Sequence, residues 1–399
     1  MPNLRFPEFS GEWEKIRVSD LLEFFSTNSL SWDQLEYGGT DIFNLHYGLI
    51  HSGLSTQISL KKSILPSVKS EYRPRNYTLC EDGDVAFADA SEDTNEVGKV
   101  VEFVDCAGKE IVCGLHTIHG RDKLGKTVVG FKGYAFSSPA FHNQIRRIAQ
   151  GTKIFSINTG NFAEIFIGVP QKEEQDKISH LLSLLDQRIA IQNRIIEDLK
   201  KLKTALEDTC FYNCGGKQVC LRDILVERGE RSNRNNQYEV LSSTVEGIYS
   251  QREYFKKEIA SADNAGYKVI HLGDIVLSPQ NLWMGNINYN DRFSIGIVSP
   301  SYKVFSIKPT FDEQFVASIL KTKRALWKYS LVSEQGASIV RRNLNMEDFY
   351  EISFAIPSLE KQRRIGEGIS SIRDKIRLEQ SYLNILNSHK SYLLSKMFI

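Results

Sequence analysis

The chain has 399 residues, of which 41% are hydrophobic and 25% are charged, and its formal net charge is +1. This composition is ordinary for a globular protein of two or three domains, and the near-neutral charge means that only local basic patches could bind a nucleic acid. The N-terminus, MPNLRFPEFSGEWEKI, lacks the apolar core of a signal peptide, and no run approaches the roughly 18 apolar residues that span a bilayer. We therefore expect a soluble cytoplasmic protein without membrane contact.

Two globular stretches, each followed by a long helix, are rich in glycine, β-branched residues and short alternating apolar runs. These features indicate α+β domains rich in strands. In the first stretch one helix is predicted near Pro139–Ile148. The two stretches are only weakly alike, although the Gly-Asp pair at 83–84 and its surroundings resemble those at 273–274.

The segment GRDKLGKT, at 120–127, matches the spacing of a phosphate-binding P-loop. A P-loop must open a helix, because the amides of the helix N-terminus bind the phosphate. Here the following residues, VVGFKGYAF at 128–136, are β-branched, aromatic and interrupted by glycine, which predicts strand and turn. The sequence therefore disfavours nucleotide binding and predicts a hairpin loop with Arg121, Lys123 and Lys126 at its tip. The loop is either a solvated charged turn or a phosphate contact with a polynucleotide.

An internal repeat is the strongest pattern in the sequence. The residues from Asn161 onward match those from Asp348 onward at a constant offset of 187, without a gap. In each copy an alternating apolar segment, Phe162–Val169 or Phe349–Ile356, predicts a strand. A proline follows, and then a helix of about 38 residues, which would be about 57 Å long.

Apolar residues recur at alternating steps of four and three along both helices, which is the spacing of a heptad seam. Since a helix this long with one apolar stripe needs a partner, we predict that the two helices pair as an antiparallel coiled coil with pseudo-two-fold symmetry. The alternative is that each helix packs separately on its own domain. The seam positions are Ile178, Leu182, Leu185, Ile189, Gln192, Ile196, Leu199, Lys203 and Leu206 in the first copy, and Ile365, Ile369, Ile372, Ile376, Glu379, Leu383, Leu386, Lys390 and Leu393 in the second.

Neither the cysteines nor any catalytic motif indicates a reaction centre. The six cysteines form no Cys-x-x-Cys pair, and the cluster of Cys210, Cys214 and Cys220 has no fourth ligand at a zinc-like spacing. We therefore expect reduced thiols and no metal site. No glycine-rich cofactor fingerprint follows a strand, and no His-Glu-x-x-His or Gly-x-Ser-x-Gly motif is present. The sequence thus favours a binding or scaffolding protein over an enzyme.

Two unlike globular stretches separated by two matching helices resemble the specificity (S) subunit of type I restriction–modification systems. The two helix starts, VPQKEEQDKI and IPSLEKQRRI, are similar to the Pro-x-x-x-Glu-Gln signature of that family. The first copy matches at Pro170, Glu174 and Gln175, whereas in the second copy Lys361 replaces the acidic residue before Gln362. Two further segments resemble the end of a target-recognition domain: GLHTIHGRD (114–122) and AQGTKI (149–154).

The resemblance implies an α+β fold with two target-recognition domains that each read one half of a bipartite, asymmetric site in double-stranded DNA. The two helices would fix the separation of the half-sites and dock two methyltransferase (M) subunits. The regions implied are a first target-recognition domain at 1–165, a central conserved helical region at 166–210, a second target-recognition domain at 211–355 and a C-terminal conserved helical region at 356–399.

The resemblance also implies that the chain itself is not catalytic and holds no cofactor. S-adenosylmethionine, ATP and Mg²⁺ are expected on partner subunits, which are the M subunits and the restriction (R) motor-nuclease subunits. Two other functions stay open from the residues alone. One is a stand-alone regulator with two DNA-binding domains, and the other is an enzyme that uses the 119–127 loop on nucleotides.

Candidate contact residues follow from residue chemistry, because basic side chains bind phosphates and Arg, Lys, Asn and Gln read base edges. Methyltransferase docking is expected at exposed faces and starts of the long helices, where helix capping is an equal alternative for the polar residues. The docking candidates are Glu173, Gln175, Glu360 and Gln362. The DNA-binding candidates are Lys61, Lys62, Arg73, Arg75, Arg121, Lys123 and Lys126 in the first domain, and Arg228, Arg231, Arg234, Asn235, Gln280, Asn281, Arg341 and Arg342 in the second.

Overall fold

The computed structural model describes residues 1–39, 41–61, 63–212, 214–254, 263–335 and 341–399. They form two compact units, which we call unit 1 (Met1–Asn193 with Tyr382–Ile399) and unit 2 (Arg194–Ser381). Each unit contains one globular domain and one part of each long helix. In the described ranges, no helix is both long enough and apolar enough to cross a membrane.

Short strands dominate the domain of unit 1. They are β1 (Glu14–Arg17), β2 (Leu22–Phe25), β3 (Leu35–Glu36), β4 (Ile42–Leu45), β5 (Gln57–Ser59), β6 (Ser67–Val68), β7 (Val85–Ala88), β8 (Ala90–Ser91), β9 (Val100–Asp105), β10 (Glu110–Cys113), β11 (Thr117–Asp122), β12 (Phe155–Ser156) and β13 (Phe166–Val169). The helices are α1 (Val18–Leu21), α2 (Tyr47–His51), α3 (Phe131–Phe136), α4 (Pro139–Ile148), α5 (Thr159–Ala163) and α6 (Lys172–Tyr212), which continues into unit 2. A five-stranded sheet has the order β2-β11-β7-β9-β5, and a four-stranded sheet has the order β10-β4-β6-β3.

The domain of unit 2 is also rich in strands. They are β14 (Lys217–Cys220), β15 (Leu225–Glu227), β16 (Leu241–Ser243), β17 (Ile248–Ser250), β18 (Lys268–His271), β19 (Ile275–Leu277), β20 (Ile287–Tyr289), β21 (Ile295–Val298), β22 (Lys303–Ile307), β23 (Ser333–Gln335), β24 (Arg342–Leu344) and β25 (Ser353–Ile356). The helices are α7 (Leu221–Ile224), α8 (Gln251–Tyr254), α9 (Glu313–Ile319), α10 (Lys323–Leu331), α11 (Met346–Glu351) and α12 (Leu359–Lys396), which continues into unit 1. The main sheet has the order β15-β22-β19-β20.

Each long helix begins beside the same arrangement of two antiparallel strands, which we call the frame. In unit 1, β1 pairs antiparallel with β13, which leads into α6, and in unit 2, β14 pairs antiparallel with β25, which leads into α12. The two predicted strands, Phe162–Val169 and Phe349–Ile356, are shorter in the structure. The helices α5 and α11 occupy the first residues of the two predicted ranges, and β13 and β25 begin only after them. The side chains of Asn158 and Asn345 cap these helices by accepting backbone hydrogen bonds, a role that asparagine favours.

Residues 128–136 were expected to be strand and turn, and this prediction is wrong. All six residues of α3 are buried, and Gly130 before it has a φ of 93°, which glycine adopts without strain. The amides of Gly130 and Gly133 donate to the two carboxylate oxygens of Glu102 at 2.8 and 2.7 Å. Tertiary contacts thus override the local strand propensity. The helix predicted at Pro139–Ile148 is confirmed as α4.

Both long helices bury the predicted seam, whose positions are buried or half-buried throughout α6 and α12. In unit 1, Ile178 near the start of α6 shares a core with Leu393 near the end of α12. In unit 2, Phe211 near the end of α6 shares a core with Ile369 near the start of α12. In unit 1, Asp186 pairs with Lys390, and the later Arg188 lies over the ring of the earlier Tyr382. The two helices therefore run in opposite directions there, and the predicted antiparallel pairing is confirmed.

Candidate nucleic-acid interface

Both units contain the same turn, built on a glycine and a buried aspartate, at the places that resemble each other in sequence. Gly83 and Gly273 have φ angles of 92° and 91°, and Asp84 and Asp274 are each 1% exposed. Each carboxylate accepts a hydrogen bond from the amide three residues earlier, at 2.9 and 2.8 Å. The turn therefore fixes one buried carboxylate in each domain.

Two arginines that are predicted DNA contacts bind these carboxylates. Arg121 donates from Nε and Nη2 to the two oxygens of Asp84 at 2.8 Å each, and Arg228 Nε lies 2.8 Å from Asp274 Oδ1. Burial opposes ionisation of Asp84, but hydrogen bonds from Arg121 and His119 outweigh it and hold the pKa of Asp84 below its usual value. Burial raises the pKa of Asp274, and the ion pair with Arg228 offsets this only in part.

The segment that matches a P-loop has internal partners for its basic side chains. Arg121 lies within β11, so the prediction that it stands at a hairpin tip is wrong. Lys123 Nζ donates to the carbonyl of Ser19 at 2.7 Å, and Lys126 Nζ donates to both oxygens of Glu14 at 2.5 and 2.6 Å. These pairings favour a structural role for the three residues.

The helix that follows this segment, α3, has a protein carboxylate where a P-loop helix has a phosphate. Glu102 is fully buried, accepts the two amides at the start of α3 and lies 3.4 Å from Lys132 Nζ. Because a helix N-terminus attracts one anion through its free amides, Glu102 fills the position that a phosphate would take. The reason first given against nucleotide binding, that no helix follows the segment, is therefore wrong, and the absence of nucleotide binding stays a prediction.

The remaining described candidates of the first domain, Lys61, Arg73 and Arg75, are exposed and lie on either side of the buried strand β6 in the sequence. Lys61 pairs with Asp105 at 2.9 Å, and Arg73 lies 3.8 Å from Glu110. Arg75 is exposed and makes no ion pair or side-chain hydrogen bond with any residue in the described ranges. Lys62 lies outside the described residues. Of this group, Arg75 has the guanidinium that is most available to a ligand.

In unit 2 the structure brings together two groups of candidates that are about sixty residues apart in sequence. The strand β24 packs against a 3-10 helix, Pro279–Met284, and the Arg342 guanidinium stacks 4.1 Å from the ring centroid of Trp283. Within the described part of the chain, Asn281 Oδ1 and Arg342 Nε are buried without a hydrogen-bond partner. Gln280 and Arg341 are exposed beside them. We call these five residues the Arg342–Trp283 surface.

Buried polar atoms without partners are rare in folded proteins, and each calls for an explanation such as a ligand. The Arg342–Trp283 surface combines two such atoms with an aromatic ring, a guanidinium and an amide, which are groups that read base edges. The sequence pointed to four of its residues but not to Trp283, although the tryptophan stands two positions after Asn281. Residues 336–340, which precede Arg341 in the sequence, lie outside the described residues.

Two of the other three candidates of the second domain form hydrogen bonds within the protein. Arg231 Nη1 donates to the carbonyl of Gly266 at 2.9 Å. Asn235 Oδ1 accepts the amides of Asn264 and Ala265 at 2.8 Å each, which ties two loops together. Arg234 is exposed and has no side-chain bond to a residue that the structure describes. Arg234 is therefore the one of the three whose side chain stays available.

Among the docking candidates, the two glutamines are buried and play the same part in each copy of the repeat. Gln175 accepts the amide of Val128 at 2.9 Å and donates to the carbonyl of Pro170 at 2.7 Å. Gln362 accepts the amide of Asp312 at 3.0 Å and donates to the carbonyl of Pro357 at 2.9 Å. These bonds favour the structural alternative for the glutamines, whereas Glu173 and Glu360 are exposed in the first turn of their helices.

The departure from the signature in the second copy also has a structural counterpart. Glu174 is buried and accepts two hydrogen bonds from Arg5, at 2.6 and 2.7 Å. At the equivalent position Lys361 donates instead to the carbonyl of Cys214 at 2.7 Å. Each residue thus connects its helix to the segment that precedes β1 or β14. The acidic Glu174 has a basic partner, whereas the basic Lys361 has a carbonyl oxygen as its partner.

Each long helix carries a stripe of exposed apolar side chains on a face away from its seam, which the sequence prediction missed. With 3.6 residues per turn, four residues of each helix fall within about 80° around its axis. The exposed fractions range from 36% for Tyr382 to 63% for Leu378. We call the two sets the α6 stripe (Leu184, Ile191, Ile195 and Leu202) and the α12 stripe (Leu378, Tyr382, Ile385 and Tyr392).

Comparisons with known proteins agree on one family. The family model described as "Type I restriction modification DNA specificity domain" matches twice, at residues 10–201 and 217–388. Among solved structures, the S subunit of a type I restriction–modification system from M. genitalium has a TM-score of 0.61 at 16% identity, covering 100% of this chain and 99% of its own. No curated protein sequence gives a significant match.

A second solved chain comes from work on complex assembly and conformational transition of the type I R-M system. Its TM-score is 0.55 at 13% identity, and 97% of each chain is covered. At such identities the two likenesses establish the fold. The two matches to the family model span nearly all of the sequence, and each contains one globular domain with one long helix. The chain therefore belongs to the family of type I restriction–modification DNA specificity proteins.

Proposed function

We propose that this chain is the DNA-reading subunit of a type I restriction–modification enzyme, with one domain for each half of a bipartite, asymmetric target. The observation that carries the proposal is a repeated frame with unlike contact groups. The frame of β1, β13 and α6 recurs as β14, β25 and α12. Unit 2 presents the Arg342–Trp283 surface, whereas unit 1 presents exposed basic residues such as Arg75. Unlike reading surfaces on a repeated frame suit a target whose halves differ.

The proposal extends to the partners. Exposed apolar patches on soluble proteins mark sites of protein association, and the α6 and α12 stripes are such patches. Ile191 and Leu378 are equivalent in the repeat, as are Ile195 and Tyr382, which suits two copies of one partner. We assign these stripes to the two M subunits, which bring S-adenosylmethionine. R subunits bring ATP and Mg²⁺, and this chain contributes no catalytic group.

The experiment is base-resolution mapping of methylated adenine in cells that express this chain with the methyltransferase from the neighbouring reading frame. We expect one split motif, which disappears when the gene for this chain is deleted. Replacing residues 1–160 with those of a relative should change one half of the motif and leave the other half intact. A change in both halves would contradict the assignment of one domain to each half-site.

The same cells separate the proposal from a stand-alone regulator. A regulator would bind DNA tightly as a purified single chain and leave the methylation pattern unchanged on deletion. A specificity subunit should gain most of its DNA affinity only after the methyltransferase is added, since base contacts and phosphate contacts are then shared between the subunits. Electrophoretic mobility of labelled target DNA with each component alone and with both measures this difference.

A further inference from the structure

Three side chains of metal-ligand type meet inside unit 1, where no catalytic or DNA-reading role has been assigned. Cys80, Cys113 and His119 are buried, and one ligand atom from each lies within 4.8 Å of the others. The two sulfur atoms are 3.6 Å apart. Two thiolates bound at 2.3 Å to a tetrahedral zinc ion stand about 3.8 Å apart, so the sulfur atoms already have the spacing of a shared ion.

The histidine supplies a second, independent observation. Its Nε2 lies 2.8 Å from Asp84 Oδ2, while its Nδ1 is buried and has no hydrogen-bond partner in the described part of the chain. His119 is 0% exposed. A buried polar atom without a partner destabilises a fold, so the free Nδ1 calls for an explanation such as a ligand. In metal sites the ligating histidine almost always donates its other ring N–H to a carboxylate or carbonyl, which is the arrangement that Asp84 provides here.

Two of the three ligands lie in strands, and the third is hydrogen-bonded to a strand. Cys113 is the last residue of β10, and His119 lies in the middle of β11. The amide of Cys80 donates to the carbonyl of Ile111 at 2.8 Å. Asp84, which orients the histidine, is itself held by Arg121. A site with this support is preformed, so an ion would not have to order its own ligands.

We propose that unit 1 binds one structural zinc-class ion through Cys80 Sγ, Cys113 Sγ and His119 Nδ1. Thiolate and imidazole ligands together select zinc and similar borderline ions over Mg²⁺ or Ca²⁺. As the ion binds, the two thiols each release a proton, and His119 keeps its proton on Nε2 for Asp84. Within the described residues the group has these three protein ligands, so the fourth position of a tetrahedral ion is left to a non-protein ligand. The ion would join β10 and β11 to the segment before β7.

The test starts with the full-length wild-type chain, purified without chelator. We expect about one zinc per chain by elemental mass spectrometry after gel filtration. The chain is then unfolded with a chelator and refolded with Co²⁺ as the probe. Thiolate ligands should give an intense thiolate-to-cobalt absorption in the near-ultraviolet together with tetrahedral d–d bands in the visible range.

Variants locate the ion. Cys113→Ser and His119→Gln should lose the bound metal and weaken or shift the cobalt bands. Cys220→Ser, which changes a half-buried thiol of unit 2, should leave both signals unchanged. If Cys113→Ser does not fold, His119→Gln and the wild-type cobalt spectrum still decide. A wild-type chain that holds no zinc and gives no thiolate–cobalt absorption overturns the proposal, and so does a Cys80–Cys113 disulfide found by peptide mass spectrometry.

Discussion

A single glutamine fixes each long helix to its domain. Gln175 and Gln362 stand five residues after a proline whose carbonyl they bind, and each also accepts an amide from a distant loop. The loop amide lies 47 residues from Gln175 in sequence and 50 residues from Gln362. Each buried side-chain amide thus donates one hydrogen bond and accepts another. This double role explains why both copies of the repeat have a glutamine here.

Replacing Gln362 with alanine should destabilise unit 2. The change leaves the amide of Asp312 and the carbonyl of Pro357 without their partner, which costs about 1–3 kcal/mol for buried groups. Replacement of the exposed Glu360 with alanine is the matched control and should stay within about 0.5 kcal/mol of wild type. Urea unfolding followed by circular dichroism measures both, and equal losses for the two variants would contradict the structural role.

Arg342 is the residue whose loss should weaken DNA reading most in unit 2. Its guanidinium stacks on Trp283, and its Nε has no partner in the described protein. Replacement with alanine should raise the Kd of the assembled methyltransferase for its target about tenfold, as expected for a base contact of about 1.4 kcal/mol. Lys217→Ala removes the same charge from the exposed strand β14 and should change the Kd less than twofold. Fluorescence anisotropy at one salt concentration measures both Kd values. Similar Kd values for the two variants would show that the Arg342–Trp283 surface does not contact the DNA.

Lys321 gives the second domain a pH dependence that can be measured. Its Nζ donates to the carbonyls of Val245 and Gly285 and to Asn288 Oδ1 at 2.9–3.0 Å. Burial, with a smaller effect of nearby Lys203, lowers the pKa of Lys321 from 10.5 to about 8. Between these two values the unfolded chain binds more protons than the folded chain. The free energy of unfolding that Lys321 contributes therefore rises with pH over this interval.

The variant Lys321→Met does not titrate at this position. The stability of wild type relative to this variant should thus be greater at pH 9.5 than at pH 7.5. Urea unfolding of both proteins at the two pH values gives the comparison. A difference that does not change with pH would show that Lys321 keeps an ordinary pKa in the fold, and a difference that shrinks as the pH rises would show that its pKa is raised; either result contradicts the prediction.

At the scale of elements, each long helix has one face that packs in the fold and another face that carries exposed apolar residues. The seam is buried in both helices, and the polar seam position Lys390 is satisfied by Asp186, whose Oδ1 lies 2.6 Å from the lysine Nζ. The α6 and α12 stripes stay exposed on another face. Exposed apolar patches of this kind are typical of association sites, and the proposed M subunits would cover them.

Ile385→Glu should therefore impair assembly with the M subunit but not folding. Ile385 is 62% exposed in the α12 stripe. The neighbouring exposed residue Asn384 points about 100° around the helix from it, so Asn384→Glu adds the same charge off the stripe. Analytical gel filtration with the M subunit should show loss of the complex for the first variant and a normal complex for the second. Normal assembly of Ile385→Glu would remove the α12 stripe from the docking surface.

The sequence predicts elements well where the determining contacts are local. The seam of the long helices is a repeat over seven residues, and α4 follows a serine cap with a proline at its first turn. The helix α3 could not be predicted, because its amides are satisfied by Glu102, about thirty residues away. The same reason hides the cluster of Cys80, Cys113 and His119, whose sequence spacing matches no metal motif.

Site prediction fails for a related physical reason. Basic composition identifies Arg121 and Arg228 as candidates, but it does not reveal that each faces a buried aspartate from another part of its domain. Residue type gives the chemistry of a side chain, and only the fold shows whether a partner already uses it. For Gln280, Asn281 and Arg342 the fold leaves polar atoms available, so their contact with DNA stays a prediction.

At the scale of the whole molecule, the first and the last residues of the sequence pack together in unit 1. The last residues of the sequence belong to unit 1, where Phe398 contacts the rings of Trp13 and Phe131 at centroid distances of 6.2 and 5.9 Å. The amide of Leu4 also donates to the carbonyl of Lys396 at 2.9 Å. Unit 1 therefore depends on both termini, whereas unit 2 is one continuous stretch.

Phe398→Ala should destabilise unit 1 by about 3–5 kcal/mol, the usual cost of truncating a buried phenylalanine. Hydrogen exchange followed by mass spectrometry should show faster exchange in β7 and β9, while β19 and β22 in unit 2 keep their protection. Ser395→Ala, at an exposed position of the same helix, is the control and should exchange like wild type. Equal loss of protection in both units would mean that they unfold together.

The closure of unit 1 has a consequence for biosynthesis. A ribosome makes residues 1–193 before residues 194–381, but the earlier residues lack part of their core until Tyr382–Ile399 have also been added. Residues 194–381 form their own unit as one continuous stretch. The half that is translated earlier is thus completed later, and a chain released before residue 382 would carry one finished domain and one incomplete domain.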